Sequence, residues 1–313
     1  MELRPLGQTD LRVSLVGLGC NNFGGRTDLD GTRRVADRAI ELGVTLFDTA
    51  DTYGNQGGSE SLLGEVLGAR RKQIVLASKF AKPMDKEGKL RGGAPAYVRS
   101  ALDASLKRLR TDWIDLYQMH EADPRVPIED TLSTLEEARK AGKIRAYGCS
   151  NFPAETLRAA QEAAKRLGLS GFVTFQDEYN LLKRDIEADL IPTATGYGMS
   201  LLPFYPLASG FLTGKYRRDA APPADSRLAG NARNAEKIFT DANWRKVENL
   251  RRFCEARDRT LLELAFSWLA CRQPVASVIA GATKPEQIEA NVKAATWKLS
   301  SDEMNEIDRI TRD

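Results

Sequence analysis

Short apolar runs and longer stretches with helically spaced apolar residues alternate along this chain. The apolar runs begin near residues 15, 45, 74, 113, 144, 173 and 200. Helical patterns lie between them, near 31–42, 59–68, 94–109, 128–141, 153–167 and 185–195. The runs start 27 to 39 residues apart, the size of one βα unit, and an eighth run, 275–280, follows a longer interval. Strands that alternate with helices predict a parallel sheet, and eight units predict closure into a (β/α)8 barrel, the TIM-barrel class of α/β fold. Ahead of the first unit, residues 2–14 read as a β-hairpin turning at 7–10. Extra helices are expected near the C-terminus, at 241–258 and 260–271. Residues 300–311 read as a closing helix, with Ser300 or Ser301 as N-cap and Glu303 as capping-box partner. No linker or shift in composition divides the chain, so residues 1–313 read as one domain.

The strand ends carry the chemistry. In residues 46–54, Leu-Phe-Asp-Thr-Ala-Asp-Thr-Tyr-Gly, an apolar run delivers Asp48 at its end, and Tyr53 follows on a polar loop turned by Gly54. The run 74–79 ends in Lys79, and the run 113–120 ends in His120. A parallel barrel collects its functional groups at the C-terminal ends of its strands and on the loops that follow. These four side chains are therefore expected on one rim. Taken singly, Asp48 reads as a helix cap, Lys79 as a surface cation and Tyr53 as a loop aromatic. Their occurrence in step at three successive strand ends favours a joint role.

Composition narrows the partners. The chain is 42% hydrophobic and 28% charged, with a net charge of +3. That charge is small for 313 residues and argues against nucleic acid as a partner. No apolar run reaches about 18 residues, so no membrane span is expected, and the N-terminus lacks the apolar core of a signal peptide. Cys20, Cys149, Cys254 and Cys271 are scattered, without metal-ligand or disulfide spacing. They read as reduced thiols of a cytoplasmic protein. His120 is the one histidine in the sequence, which leaves no material for His-x-His metal sites and makes a metal-dependent barrel hydrolase a poor fit. Gly17-Leu18-Gly19 resembles the start of a dinucleotide fingerprint. The third glycine would fall at Asn22, so the stretch reads as a tight βα turn instead.

Phe47-Asp48-Thr49-Ala50 with Tyr53-Gly54, and then Lys79 and His120 at the next strand ends, resembles the catalytic tetrad of the aldo-keto reductases. The likeness extends to the branch that includes potassium-channel β subunits. It implies reduction of an aldehyde or ketone, or the reverse oxidation of an alcohol, by hydride transfer, with Tyr53 as general acid or base. A free phenol has a pKa of ~10. An ammonium about 4 Å away is worth roughly 4 kcal/mol at an effective dielectric of ~20, enough to lower the Tyr53 pKa by about two or three units before burial opposes it. Asp48 is expected to keep Lys79 charged. His120, as a neutral donor, is expected to hold the carbonyl oxygen.

The same resemblance implies where a nicotinamide cofactor lies. Ser150 and Asn151, with Gln176 on the next strand, match the residues that bond the carboxamide. Phe204-Tyr205-Pro206-Leu207 matches the segment whose aromatic ring, Phe204 here, stacks on the nicotinamide. Gly19, Cys20 and Asn21 fall on the cofactor's side of the rim. Residues 206–240 hold Gly210, Gly214, Gly230, Pro222 and Pro223, and a loop this long is expected to cover the cofactor. Within it Gly210, Lys215 and Arg227 match the pyrophosphate cover. Gly281, Thr283, Lys284, Gln287 and Asn291 match the adenosine-phosphate site, where a helix starting near Pro285 offers free N–H groups. NADPH is the expected cofactor, with NADH as the alternative. Ala280 stands where many relatives have Pro, and Ala290 where many have Glu. The basic residue used for the 2′-phosphate in other branches falls at Gly281. Residues 23–26, 80–91 and 122–126 are the expected specificity loops, with Phe23 and Phe80 in the substrate pocket. A second reading is an NADPH-binding accessory or sensor subunit with little turnover. An oligomer is compatible with either.

Overall fold

The computed structural model describes residues 1–224 and 226–312. Asp225, within the expected covering loop, and Asp313 lie outside the described residues. A hairpin of β1 (Leu3–Pro5) and β2 (Arg12–Ser14) opens the chain. Eight parallel strands follow: β3 (Val16–Gly19), β4 (Leu46–Asp48), β5 (Val75–Phe80), β6 (Ile114–Met119), β7 (Ile144–Ser150), β8 (Thr174–Gln176), β9 (Ser200–Leu201) and β10 (Val278–Gly281). Each pairs with its sequence neighbour, and β10 returns to β3. Leu201 bridges in parallel to Val275, and the Ile279 amide donates to Pro203 O at 3.1 Å. The last strand thus meets the first, and the eight units make the expected barrel.

Helices α1 (Leu29–Glu41), α2 (Tyr53–Leu67), α3 (Pro95–Leu109), α4 (Ile128–Lys140), α5 (Ala154–Leu167) and α6 (Leu190–Gly196) join successive strands. α7 (Ala232–Ile238), α8 (Asp241–Glu255) and α9 (Leu261–Ala270) precede β10, and α10 (Pro285–Ala294) and α11 (Ser301–Arg312) end the chain. Ser300 caps α11: its hydroxyl accepts from the Glu303 amide at 3.2 Å while the Glu303 carboxylate accepts from the Ser300 amide at 2.8 Å.

Side-chain alternation along the strands sets two layers. Leu46, Ala77, Leu116 and Ala146 fill the barrel interior, where Leu6, Leu11 and Val13 of the hairpin join them. Phe47, Leu76, Tyr117 and Cys149 belong instead to the larger core shared with the helices. Asp48, Lys79, Gln118 and Gln176 occupy inward positions one pleat or more above the apolar layer. For Asp48, Lys79 and Gln118 the residue two positions earlier is an apolar one that fills the lower barrel, so the polar side chains meet above it.

Two expectations change. Residues 185–195 do not form one helix: a 3-10 turn, Asp185–Glu187, precedes α6. Pro192 lies in the first turn of α6, where its missing N–H is harmless; a helix begun earlier would set its ring against a carbonyl. The stretch 206–240, expected as a loop throughout, contains a 3-10 segment, Ala208–Thr213, and α7. Asn231 supports α7 by accepting from the Asn234 amide at 3.2 Å.

Candidate active site

A cavity of about 440 Å³ opens over the C-terminal strand ends. Gly19, Asp48, His120, Ser150, Gln176 and Gly281 reach it from six strands, and Phe204 from the loop after β9. Its volume lies in the range of ligand sites.

At its floor, Lys79 Nζ donates to Asp48 Oδ2 at 2.6 Å and to Thr49 O at 2.9 Å. Both partners are buried; the Lys79 side chain is fully enclosed. Asp48 Oδ1 accepts from Gln176 Nε2 at 2.9 Å and from Gln118 Nε2 at 3.3 Å. Burial disfavours the Lys79 charge, but Asp48 and then Tyr53 outweigh it and hold the ammonium above its ordinary range. A buried charge pair survives when its remaining valences are satisfied in this way.

Lys79 Nζ lies 5.0 Å from the Tyr53 ring centre, and the Tyr53 and His120 rings meet edge-on at 5.8 Å. Residues 54–57 turn left-handed immediately after Tyr53, with φ of 59° at Asn55 and 66° at Gln56. At Gly54, φ 67°, a Cβ would collide with the Phe23 carbonyl and the Ser59 amide. Two successive non-glycine residues in this region store strain, a feature that collects at functional sites. The Tyr53 phenol corrects one expectation. Burial raises its pKa above the usual value, Asp48 adds to the rise, and Lys79 opposes without prevailing. Desolvation wins because the hydroxyl is enclosed and Lys79 is already paired with Asp48. Tyr53 is an acid that stays protonated.

His120 is buried, and its pKa is lowered to about 2 by burial and by Lys79 and Lys82. Its Nδ1 has no hydrogen-bond partner among the described residues. Asn151 donates to His120 O at 3.0 Å and to Ser150 Oγ at 2.9 Å, which ties the fifth strand's end to the fourth's.

Most of the residues expected at a cofactor line this cavity: Asn21, Ser150, Asn151, Gln176, Phe204, Tyr205, Pro206, Leu207, Gly210, Lys215, Arg227, Thr283, Gln287 and Asn291, with Gly19 and Gly281. Arg227 donates to the Tyr205 hydroxyl at 3.1 Å, and Thr283 donates to Gln287 Oε1. At Gly281 a Cβ would lie 2.9 Å from Asn22 Nδ2, so any side chain would crowd this wall. Five expected residues are not in its lining: Lys79, enclosed beneath Asp48, and four others. Cys20 is buried, its thiol pushed well up by burial. Phe23 is fully buried in the outer core. Phe80 is too, stacked on Tyr117 at 4.9 Å. Phe80 neighbours the inward Lys79, and alternation turns it away. Lys284 is the N-cap of α10, beside the wall formed by Thr283 and Gln287.

Several residues had no distinct signal in the sequence. Gln118 reads as one more polar residue in an apolar run, yet it bonds Asp48. Lys82 lines the cavity from the loop after β5, inside the expected specificity stretch 80–91 but not singled out within it. Asp51 is 1% exposed, and neither of its carboxylate oxygens has a hydrogen-bond partner among the described residues. Burial, with repulsion from Glu60, pushes its carboxyl up to about 8, against Arg108, the Thr52 amide and Lys79. An acid raised in the folded state destabilises the fold progressively as pH rises from about 4 to about 8. Asp51→Asn, neutral at every pH, should therefore gain on the wild type across that range. A tenfold change in an acid constant is worth ~1.4 kcal/mol, and calorimetry at pH 5 and pH 9 should show the Tm difference widening by about 2 °C or more. A constant difference would mean that the Asp51 charge is well solvated.

The chain is similar to characterised and uncharacterised oxidoreductases over nearly its full length. YrpG of Bacillus subtilis, an uncharacterised oxidoreductase, is 34% identical over 312 residues, covering 96% of this chain and 93% of the relative. A probable voltage-gated potassium channel subunit β of Arabidopsis thaliana is 35% identical over 305 residues, covering 94% and 91%. L-glyceraldehyde 3-phosphate reductase of Escherichia coli is 32% identical over 325 residues, covering 100% and 93%. The family described as Aldo/keto reductase matches residues 15–312, and with the strand-end cavity and its buried Asp48–Lys79 pair it places this chain in the aldo/keto reductase family of oxidoreductases.

Proposed function

We propose that this protein is an NADP(H)-dependent carbonyl reductase, working reversibly as an alcohol dehydrogenase, and that residues 1–313 act as one catalytic domain. The observation that carries this reading is the 2.6 Å Lys79–Asp48 pair beneath a protonated Tyr53 and beside a neutral His120. NADPH, when bound, supplies the hydride. The cavity suits it: a half-buried aromatic, Phe204, a polar triplet of Ser150, Asn151 and Gln176, and cations Lys215 and Arg227 all line it, together with the crowded Gly281. His120 and Tyr53 would hold the substrate carbonyl oxygen. As the carbonyl carbon gains hydride, Tyr53 gives its proton to the oxygen, and the phenolate regains one from solvent. Lys79 stabilises that phenolate, and Asp48 holds Lys79 in place and charged. The free state of Cys20, Cys149, Cys254 and Cys271 fits a reducing compartment, and we place the protein in the cytoplasm.

The test is NADPH oxidation with a panel of aldehydes, sugars and ketones. Turnover with any of them supports the enzyme reading. Tight NADPH binding with no turnover on the panel favours an accessory subunit, in line with the Arabidopsis thaliana relative, a probable voltage-gated potassium channel subunit β.

Cofactor choice is tested at the start of α10. Thr283, Lys284 and Gln287 stand at a helix N-terminus, which attracts phosphate, and a 2′-phosphate exists only in NADP(H). Lys284→Ala should weaken NADPH by roughly 1.5–3 kcal/mol, the range for hydrogen bonds to charged groups. NADH should be almost unaffected. Quenching of tryptophan fluorescence reads both constants, and equal weakening would remove Lys284 from the site.

A further inference from the structure

Lys82 is a cavity charge that carbonyl reduction leaves unused. β5 ends at Phe80, and Ala81 then adopts φ 90°, a value that residues with a side chain rarely take. The Gly92 amide donates to Ala81 O at 2.9 Å and holds that bend. Beyond it Lys82 lines the same cavity as Tyr53 and His120. It is half-buried, and among the described residues it makes no hydrogen bond or ion pair. Burial lowers its pKa and Lys79 adds repulsion; Glu121 and Asp51 offset this only in part. Glu121 is itself paired with Arg91 at 2.7 Å.

The charge balance of the cavity points the same way. Lys82 and Arg227 line it, and among the described residues its one lining carboxylate, Asp48, is already neutralised by Lys79 from below. A partly desolvated ammonium with no counter-ion is unfavourable until an anion reaches it. Lys215 and Arg227 belong to the stretch assigned above to the cofactor phosphates. Lys82 lies close enough to His120, one of the two residues that would hold the carbonyl, for its charge to act on the imidazole.

We infer that the natural substrate is a carbonyl compound bearing an anionic oxyacid group, carboxylate or phosphate, and that Lys82 is the residue that selects it. This rests on the carbonyl-reducing reading of the same site. A charge-assisted contact of this kind corresponds to roughly ten- to hundredfold in kcat/KM.

The test compares matched pairs: 4-oxobutanoate with its neutral amide, and glyceraldehyde 3-phosphate with glyceraldehyde. The wild type should prefer the charged member of at least one pair tenfold or more, and which pair it is distinguishes carboxylate from phosphate. In Lys82→Met that preference should fall at least tenfold, while Lys82→Arg should keep most of it. A readout without turnover accompanies this. Calorimetric titration of the NADPH-saturated protein with 4-hydroxybutanoate, glycerol 3-phosphate and butane-1,4-diol should show a charged ligand bound more tightly, and Lys82→Met should abolish the difference. If neutral carbonyls are reduced as well as charged ones, the inference falls and the reductase reading stands. If no carbonyl is reduced, the reductase reading falls, and the titration alone decides whether Lys82 holds an anion. Equal binding of the charged and neutral ligands would overturn that too.

Discussion

Tyr53→Phe should bind NADPH as the wild type does and reduce carbonyls at least a hundredfold more slowly. The ring sits edge-on to His120 and beside Lys79, and phenylalanine keeps both contacts. Only the proton is lost. Acid catalysis is worth ~10²–10⁴-fold, and His120 cannot replace it, because its pKa lies far below neutrality and it carries no extra proton to give. The wild-type pH profile should carry the same signature. The phenol is raised above its ordinary value, so the acid form persists through the alkaline range, and the reduction rate should stay flat with rising pH until beyond pH ~10. In Tyr53→Phe that alkaline limb should be absent. Single-turnover reduction, monitored by nicotinamide absorbance across pH, measures both effects. More than about a tenth of the wild-type rate in the variant would remove Tyr53 from the acid role.

Lys79→Met should lose both rate and stability, for separable reasons. The variant leaves Asp48 buried with two amide donors and no counter-charge. Breaking one side of a buried pair costs about 3–5 kcal/mol, so the Tm should fall by several degrees. Asp48→Asn/Lys79→Met removes the orphaned charge and should recover much of that stability. The double variant should nevertheless remain slow, since no cation is left to stabilise the Tyr53 phenolate. Any residual alkaline limb in either variant should move to higher pH, because the ammonium is the group that opposes burial at the phenol. Thermal unfolding and pH–rate profiles on the single and double variants separate the two roles. Recovery of rate together with stability in the double variant would show Lys79 to be a structural cation.

The strand rhythm made the fold legible. Eight apolar runs at βα spacing left few alternatives to a closed barrel, and the type and order of Asp48, Tyr53, Lys79 and His120 led to the expectation of a proton-transfer set at its rim. The resemblance of their motifs to known reductases extended that to a set of expected cofactor contacts, most of which line one cavity. Where the expectation failed, alternation had already contained the correction. Phe80 follows inward-facing Lys79, so it must face the helices and cannot line the pocket.

Other properties were decided by the folded chain alone. Strand periodicity is local, and it determines which face a side chain takes. It carries no information about how much protein lies over that face. The raised phenol of Tyr53, the neutral imidazole of His120 and the unpartnered carboxyl of Asp51 follow from desolvation, which sums over every element packed around the group. The exposure of Lys82 to the cavity likewise follows from a left-handed bend at Ala81, a residue with no intrinsic preference for one. Residue order determined the barrel and the chemical types on its rim; enclosure by distant segments determined their protonation and the half-buried place of Lys82 in the cavity.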